Sequence, residues 1–513
     1  MMHKQGTARE QMSMFSLNCL IASDNPVRLI DLFVEQLDLA ALGFTKTDVK
    51  QEGCPPYHAK DMLKLYYYGY LNRVRSSRKL ASECMRNVEV WWLIHQLMPA
   101  YHTIANFRKD NAVAFKKAFK QFVSFLKGEE LVSAKIVAVD GTKIRAQNNK
   151  DKNFNEAALV KRIAYIENKT QEYITQLDEC DALEDKQAGA LKKAEVAEKI
   201  KTLVERKDKY EKISHTLAGI ADKQVSLVDA ESRSLSVKGE QTDVCYNIQT
   251  AADSMHSLIV EFDTVNEGDQ NQLSPMATRA METLQAKEIT VIADKGYHTG
   301  SQLMACEQGG ITTLVAYPDR STRAKQIDPA YQLGEFKYDR DKDCYTCPAG
   351  AILTTTGVWF DKRCKDRVPT HLVKRYTTPL CSSCPVSHLC TSSQPPRRIL
   401  ERSAYQDAID ANNKRVDEQW KLYKKRQEIV EHPFGTIKRG WGYGYTLLKG
   451  IKKVNGEMAI IFTVYNLRRA ITILGVTELL NRLTKWKPVP FLQNTGLLRS
   501  VYGKLFNTTR RAA

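Results

Sequence analysis

Apolar positions along the chain switch between two spacings, and each switch marks a change of architecture. Leu29, Ile30, Phe33, Val34 and Leu37 recur at the 3.6-residue spacing of a helix that Pro26 is placed to open, and Phe115, Phe119, Phe122 and Leu126 repeat the pattern. Residues 1–128 are therefore expected to be all-α. Lys135-Ile-Val-Ala-Val-Asp140 is instead an unbroken β-branched run closing on a carboxylate, the composition of a strand buried on both faces. Heptad spacing follows, with Leu159, Ile163, Ile166, Tyr173 and Leu177 before a charged turn at 181–190 and Val196, Ile200, Leu203, Tyr210 and Leu217 after it. This predicts an antiparallel helical hairpin over 155–222. Beyond it, Val244–Thr250 and Ser257–Val265 read as strands around the turn Asp253-Ser-Met-His, 270–286 as a helix, Ile289–Asp294 as a second buried strand ending in Asp, 302–308 as a short helix and Ile311–Ala316 as a strand. Strands alternating with helices predict an α/β fold with a partly parallel sheet.

Residues 336–400 lose this patterning to Cys, Pro, Gly and Ser, so a compact insertion without an apolar core of its own is expected. Helical pattern and positive charge return from Ala404 to Gly475. The chain divides into helical 1–128, α/β segments at 129–154, 223–335 and 401–475, the hairpin insertion 155–222, the Cys-rich insertion 336–400, and a basic, weakly patterned tail, 476–513, expected to be partly disordered.

A composition of 43% hydrophobic and 26% charged residues excludes a disordered or collagen-like chain, and 513 residues allow about three domains. The longest apolar run, Met458–Tyr465, is eight residues with Thr463 inside it, against the ~18 a membrane span needs. Met1 to Gln11 has no signal-peptide core. These features predict a soluble, unexported, cytoplasmic protein with no membrane partner. Lys plus Arg number 76 against 59 Asp plus Glu, a net charge of +17 whose self-repulsion is most simply explained by a polyanionic partner, nucleic acid before acidic membrane. The stretch His58–Asp110, with Arg73, Arg75, Arg78, Lys79 and Arg86, suits a helix-turn-helix or a helical bundle with a solvated basic face.

Three positions carry candidate chemistry. Asp140 and Asp294 each end a buried strand, where open α/β sheets bind ligands, and two such carboxylates can converge on one divalent ion; the rival reading makes Asp140-Gly141 a turn. Between 421 and 453, nine Lys or Arg surround only Glu428 and Glu431, with Tyr423, Phe434, Trp441, Tyr443 and Tyr445 interleaved. That composition suits a metal-binding acid in a groove that grips phosphates and stacks bases. Six of the twelve Cys fall between Cys344 and Cys390, and the pairs Cys344-x2-Cys347 and Cys381-x2-Cys384 have the spacing of zinc knuckles, with Cys364, His388 and Cys390 as further candidate ligands. Cys19, Cys54, Cys84, Cys180, Cys245 and Cys306 are isolated and read as ordinary buried residues.

The order Ile-Val-Ala-Val-Asp140-Gly-Thr-Lys, Val-Ile-Ala-Asp294-Lys-Gly-Tyr, then Tyr423-x2-Arg426 with Glu431-x6-Lys438, resembles the DDE transposases of bacterial insertion sequences, in the broad IS4/IS5 assemblage and closest to the IS1182 group. Tyr101-His-Thr-Ile-Ala-Asn-Phe-Arg-Lys109, Tyr246-Asn-Ile-Gln249, Cys381-x2-Cys384 and Tyr465-Asn-Leu-Arg-Arg469 extend the likeness over nearly the whole chain. It implies an RNase H-like catalytic core in which Asp140, Asp294 and Glu431 hold two Mg²⁺ (or Mn²⁺) ions, with Tyr423, Arg426, Lys438 and Arg439 on DNA phosphates. The all-α domain would recognise the terminal inverted repeats of double-stranded DNA, a homodimer would join both ends, and a structural Zn²⁺ would sit on Cys344, Cys347, Cys381 and Cys384, or on Cys390 in place of Cys344. Four residues separate Arg426 from Glu431 where the IS4-type signature has three, and Pro433 predicts either a kink beside Glu431 or a helix starting after it, so Glu428 is the alternative third acid. The rival functions are a nuclease of the same fold that does not join, and a domesticated DNA-binding protein without activity.

Overall fold

The computed structural model describes residues 10, 12, 14–47, 55–148, 152–181, 186–220, 223–238, 241–318, 327–364 and 367–489. Its centre is a mixed sheet of β1 (Ile136–Arg145), β4 (Arg233–Lys238), β5 (Gln241–Asp253), β6 (Ile259–Val265), β7 (Ile289–Ala293) and β8 (Ile311–Val315); the short β2 (Asn153–Asn155) and β3 (Gln224–Ser226) pair separately. β1 is antiparallel to β5 and parallel to β7, which is parallel to β8, while β4 and β6 succeed one another along the far edge of β5. β1 thus joins an antiparallel half to a parallel one. Val137, Ala138 and Val139 of β1 and Val291, Ile292 and Ala293 of β7 are fully buried, which is why both strands read as unbroken apolar runs.

β1 continues past Asp140, because Gly141 to Arg145 pair with Gln249 to Cys245 of β5; the acid lies mid-strand, and Asp140-Gly141 is not a turn. β4, with its polar alternation, was not anticipated from the sequence.

The helices of residues 1–128 have no core of their own. Ala112–Gly128 packs against β6 and the buried helix Ile451–Leu474, with ring centroids 5.0 Å apart for Phe119 and Phe262 and 4.9 Å for Phe262 and Phe462. Gly456 is needed there, since a Cβ at that position would lie 2.5 Å from Ala112 Cα. One apolar core therefore runs from Ile21 to Leu483. Among the described residues no single helix is long and apolar enough to cross a membrane; the all-round apolar helix Ile451–Leu474 is explained by burial inside the protein.

The predicted hairpin is formed by Glu156–Asp181 and Lys186–Ala218, with Leu159, Ile166, Val196, Leu203, Ile213 and Leu217 buried in its seam. Two expectations are corrected. The Cys-rich insertion has an apolar core: β9 (Lys337–Asp339), β10 (Cys344–Thr346), β11 (Ile352–Cys364), β12 (Arg367–Thr377) and β13 (Leu400–Ser403) form a second sheet around Phe336, Tyr345, Leu353, Tyr376 and Leu400, residues too widely spaced to show as a pattern. The tail begins with an amphipathic helix, Val476–Lys485, that buries Leu479 and Leu483 and accepts a hydrogen bond from Gln36 to Leu483 O at 2.6 Å. The expectation of disorder otherwise falls on residues outside those described.

Candidate active site

Parallel pairing builds the centre of the site. Val139 of β1 is in register with Ala293 of β7, so the next residue on each strand, Asp140 and Asp294, stands beside the other. β7 ends one residue before Asp294, whose carboxylate accepts the Gly296 N–H at 2.8 Å and caps the turn Lys295–Tyr297. Burial pushes the Asp140 carboxyl up to about 6; Arg426 opposes that rise, and the neighbouring charges of Asp294 and Asp269 add to it.

Arg426 comes from the helix Trp420–Phe434, which buries Ile429 and Val430 and holds the guanidinium Nη1 3.4 Å from Asp140 Oδ2. Lys438 reaches the same strand, its ammonium donating to Thr142 Oγ1 and Lys143 O, both at 3.1 Å, and burial lowers its pKa. Tyr423 is half-buried and stacks on Trp420 with centroids 5.1 Å apart, while Arg439 is exposed.

Neither candidate third acid joins the pair. Glu428 and Glu431 are both exposed, and Glu431 accepts a bond from Gln427 at 2.8 Å. Five residues at 100° each turn Glu431 about 140° around the helix from Arg426. Among the described residues, no three His, Cys, Asp or Glu side chains stand close enough to hold a metal ion. Pro433 does not start a new helix after Glu431: the helix runs through it to Phe434 and passes into a π-helical turn, Gly435–Gly440. The displaced hydrogen bonding is absorbed after the acid rather than at it.

Several basic and aromatic candidates serve the fold. Tyr443 is buried and donates to Tyr70 O at 2.7 Å, and Arg75 lies between the Tyr443 and Tyr445 rings, at 4.4 and 4.6 Å, donating to Tyr445 O. Arg86 pairs with Glu83, and Arg78 sits 5.0 Å over Tyr101.

The sequence reading missed Asp269, Asn247 and Gln249. Asp269 accepts from Lys143 at 3.0 Å, Asn247 at 2.8 Å and Gln249 at 2.7 Å, bonds that outweigh burial and hold its pKa down. The available signal was the alternation in Tyr246-Asn-Ile-Gln249, which puts both amides on one face of β5.

Four cysteines gather elsewhere. Cys347, Cys381, Cys384 and Cys390 line one largely apolar pocket. Burial raises the Cys390 thiol, Arg398 opposes this, and Cys381, Cys347 and Cys384 raise it further. Cys347 Sγ accepts the Ala351 N–H at 3.2 Å. Cys344 does not line this pocket: strand alternation gives Tyr345 and Cys347 to the insertion core and turns Cys344 to the opposite face, whereas Cys390 lies with the other three. His388 is exposed, and the Cys364 side chain lies outside the described residues. Of the isolated cysteines, Cys84, Cys245 and Cys306 are buried and Cys19 is exposed, while Cys54 and the Cys180 side chain lie outside the described residues.

Residues 346–471 match the family described as "Transposase DDE domain", and residues 15–110 the one described as "Transposase domain (DUF772)". Together the two matches support a DDE transposase of an insertion sequence. The pairing of these two domains fits the IS1182 group. In this transposase the matched segments contain Glu431, Lys438 and the four gathered cysteines, while Asp140, Asp269 and Asp294 lie between them. No curated protein and no solved structure matches the chain. A DDE transposase domain implies an activity of the polynucleotidyl transferase type.

Proposed function

We propose that this transposase binds the terminal inverted repeats of its insertion sequence, cleaves DNA at the element ends in a metal-dependent step and transfers the freed strand to target DNA. The observation that carries this is the side-by-side placement of Asp140 and Asp294, with Arg426 against Asp140 and Lys438 hydrogen-bonded to the strand that bears it. The order β6-β5-β1-β7-β8, antiparallel before β1 and parallel after it, supports an RNase H-like core. Two carboxylates in a largely basic groove fit a hard divalent cation, Mg²⁺ or Mn²⁺, and Asp140 and Asp294 would hold it. Bound there, two such ions would activate water and stabilise the leaving oxygen. Arg426 neutralises Asp140 without them and is free to take a scissile-strand phosphate once Asp140 is otherwise engaged. Glu431 would complete the acid set by turning toward the pair, a movement for which the adjacent π-turn provides slack. Tyr423, Lys438 and Arg439 would grip flanking phosphates, and a homodimer on DNA, in the cytoplasm, would bring the two ends together.

Cys347, Cys381, Cys384 and Cys390 would supply the four thiols that a closed tetrahedral Zn²⁺ site requires, once drawn closer together than they stand around their shared pocket. Its contribution would be to fold the insertion, since none of the four touches the acid pair.

The test is cleavage and joining of a labelled element end by the full chain with Mg²⁺. Asp140→Asn, Asp294→Asn and Glu431→Gln should each abolish cleavage with end binding retained, because amides are poor Mg²⁺ ligands and add no phosphate repulsion. Cleavage without insertion of a precleaved 3′-OH end into plasmid would make the chain a nuclease. Full activity of Glu431→Gln with a dead Glu428→Gln would move the third acid to Glu428.

A further inference from the structure

Asp269 stands on the loop after β6, away from the matched family segments, yet it touches the glycine that follows each strand acid. A Cβ at Gly141, the residue after Asp140, would lie 2.5 Å from Asp269 Oδ1 and 2.5 Å from Gln249 Nε2. At Gly296, two residues after Asp294, it would lie 3.8 Å from Asp269 Cβ. Gly141 therefore admits the Asp269 carboxylate only because it carries no side chain of its own, while Gly296 brings the turn after Asp294 within van der Waals reach of Asp269. Around Asp269 the polar contacts form a closed set: Lys143 Nζ on Oδ2, Asn247 Nδ2 and Gln249 Nε2 on Oδ1, and Tyr297 OH donating to Gln249 Oε1 at 2.5 Å. Asn247 is fully buried, and its Oδ1, aimed at the same Gly141 corner, has no partner.

Within the proposed cleavage reading, on which this inference rests, we infer that Asp269 is a positioning residue for the acid pair and that its task is to neutralise Lys143. Lys143 is three residues beyond Asp140 on β1 and half-buried, so its ammonium cannot be silenced by solvent alone. Paired with Asp269 at 3.0 Å, it leaves the neighbourhood of Asp140 and Asp294 with the negative potential a divalent cation needs. Unpaired, it would be a fixed positive charge beside that cation. The two amides and Tyr297 fix the carboxylate where Gly141 makes room for it.

The experiment measures Mn²⁺ binding to the full chain without DNA, by the electron paramagnetic resonance signal of the free ion. Asp269→Asn keeps the shape and removes the charge, and it should weaken Mn²⁺ binding about tenfold by unbalancing one nearby charge. The double variant Lys143→Met with Asp269→Asn restores the net charge and should recover most of that loss. Binding of labelled end duplex by Asp269→Asn should stay within about twofold of the parent, since no phosphate-facing residue is removed. Unchanged Mn²⁺ affinity in Asp269→Asn, or a double variant as weak as the single one, would overturn the inference. A purely scaffolding residue would lower the melting temperature of both variants without that recovery. If the unaltered chain bound no Mn²⁺ at all, the cleavage reading itself would fail instead.

Discussion

Replacing Asp140 by Asn should make the metal-free protein more stable while destroying its activity, and the size of the gain follows from the site. Burial is the main cause that lifts the Asp140 carboxyl from its ordinary 3.8 to about 6, so the folded chain holds a proton there that the unfolded chain releases. A raised carboxylate pKa means that stability is lost as pH rises from below 4 through 6, the opposite of the usual salt-bridged acid. The ionised group then costs about 2 kcal/mol at pH 5 and about 3 kcal/mol at pH 8, with the attraction of Arg426 already included. Asn has nearly the same shape and no charge, so urea denaturation with chelator present should show the variant ahead by about those amounts, the gap widening by about 1 kcal/mol between pH 5 and pH 8. Mg²⁺ should narrow or reverse the gap, because it binds the native acid pair and not the amide. A variant no more stable than the parent at pH 8, or a gap that does not change with pH, would refute the argument that Asp140 is held at an electrostatic cost for the sake of a cation.

Lys438→Ala removes the hydrogen bonds to Thr142 and Lys143 O and one phosphate-gripping charge; cleavage should fall, and the salt dependence of duplex binding should flatten by about one contact without a change in preferred end sequence. Chelation of zinc should expose 336–400 to protease before the rest of the chain, and Cys390→Ser should do the same where Cys344→Ser does not; limited proteolysis with metal analysis checks both. Gly456→Ala drives a Cβ to 2.5 Å from Ala112 Cα and should lower stability by about 1–2 kcal/mol, overpacking outweighing the gain in helix propensity, as thermal denaturation will report.

The parts legible in the sequence are those whose pattern is set by burial on a regular element. The apolar runs before Asp140 and Asp294 are strands covered on both faces, and the hairpin seam is a heptad because two helices bury one stripe each. What escaped the reading depends on contacts between distant segments. The end of β1 was misplaced because Gly141 to Arg145 owe their strand geometry to pairing with β5 rather than to their own composition. Asp269 was invisible for the same reason: it lies in a polar loop, and only the fold carries it to Gly141 and Gly296. Arg75 and Tyr443 looked like nucleic-acid residues by type, yet they spend their charge and ring on one another.

That last contact bears on how DNA recognition and cleavage would communicate. Glu457 is fully buried in the helix Ile451–Leu474, where it accepts from Tyr70 OH at 3.2 Å and from the Leu447 and Leu448 N–H groups at 2.9 and 3.2 Å, with Arg75 Nη1 3.6 Å away. Arg75 in turn clasps Tyr443 and Tyr445, a few residues beyond Lys438, and Arg145 at the end of β1 donates its backbone N–H to Gly444 O at 3.1 Å. A continuous set of contacts, buried at Glu457, Tyr70 and Tyr443 and exposed at Tyr445 and Arg145, therefore runs from the N-terminal helices through 443–448 to the strand that carries Asp140. Because the same helices also complete the apolar core around Phe119 and Phe262, they cannot act as a tethered module that finds DNA while the catalytic part waits. A DNA end that shifts Arg75 or Tyr70 would move the 443–448 segment with it. Recognition would then be felt at β1 as a change in backbone position, carried by a network in which the buried Glu457, left unpaired, is too costly to tolerate.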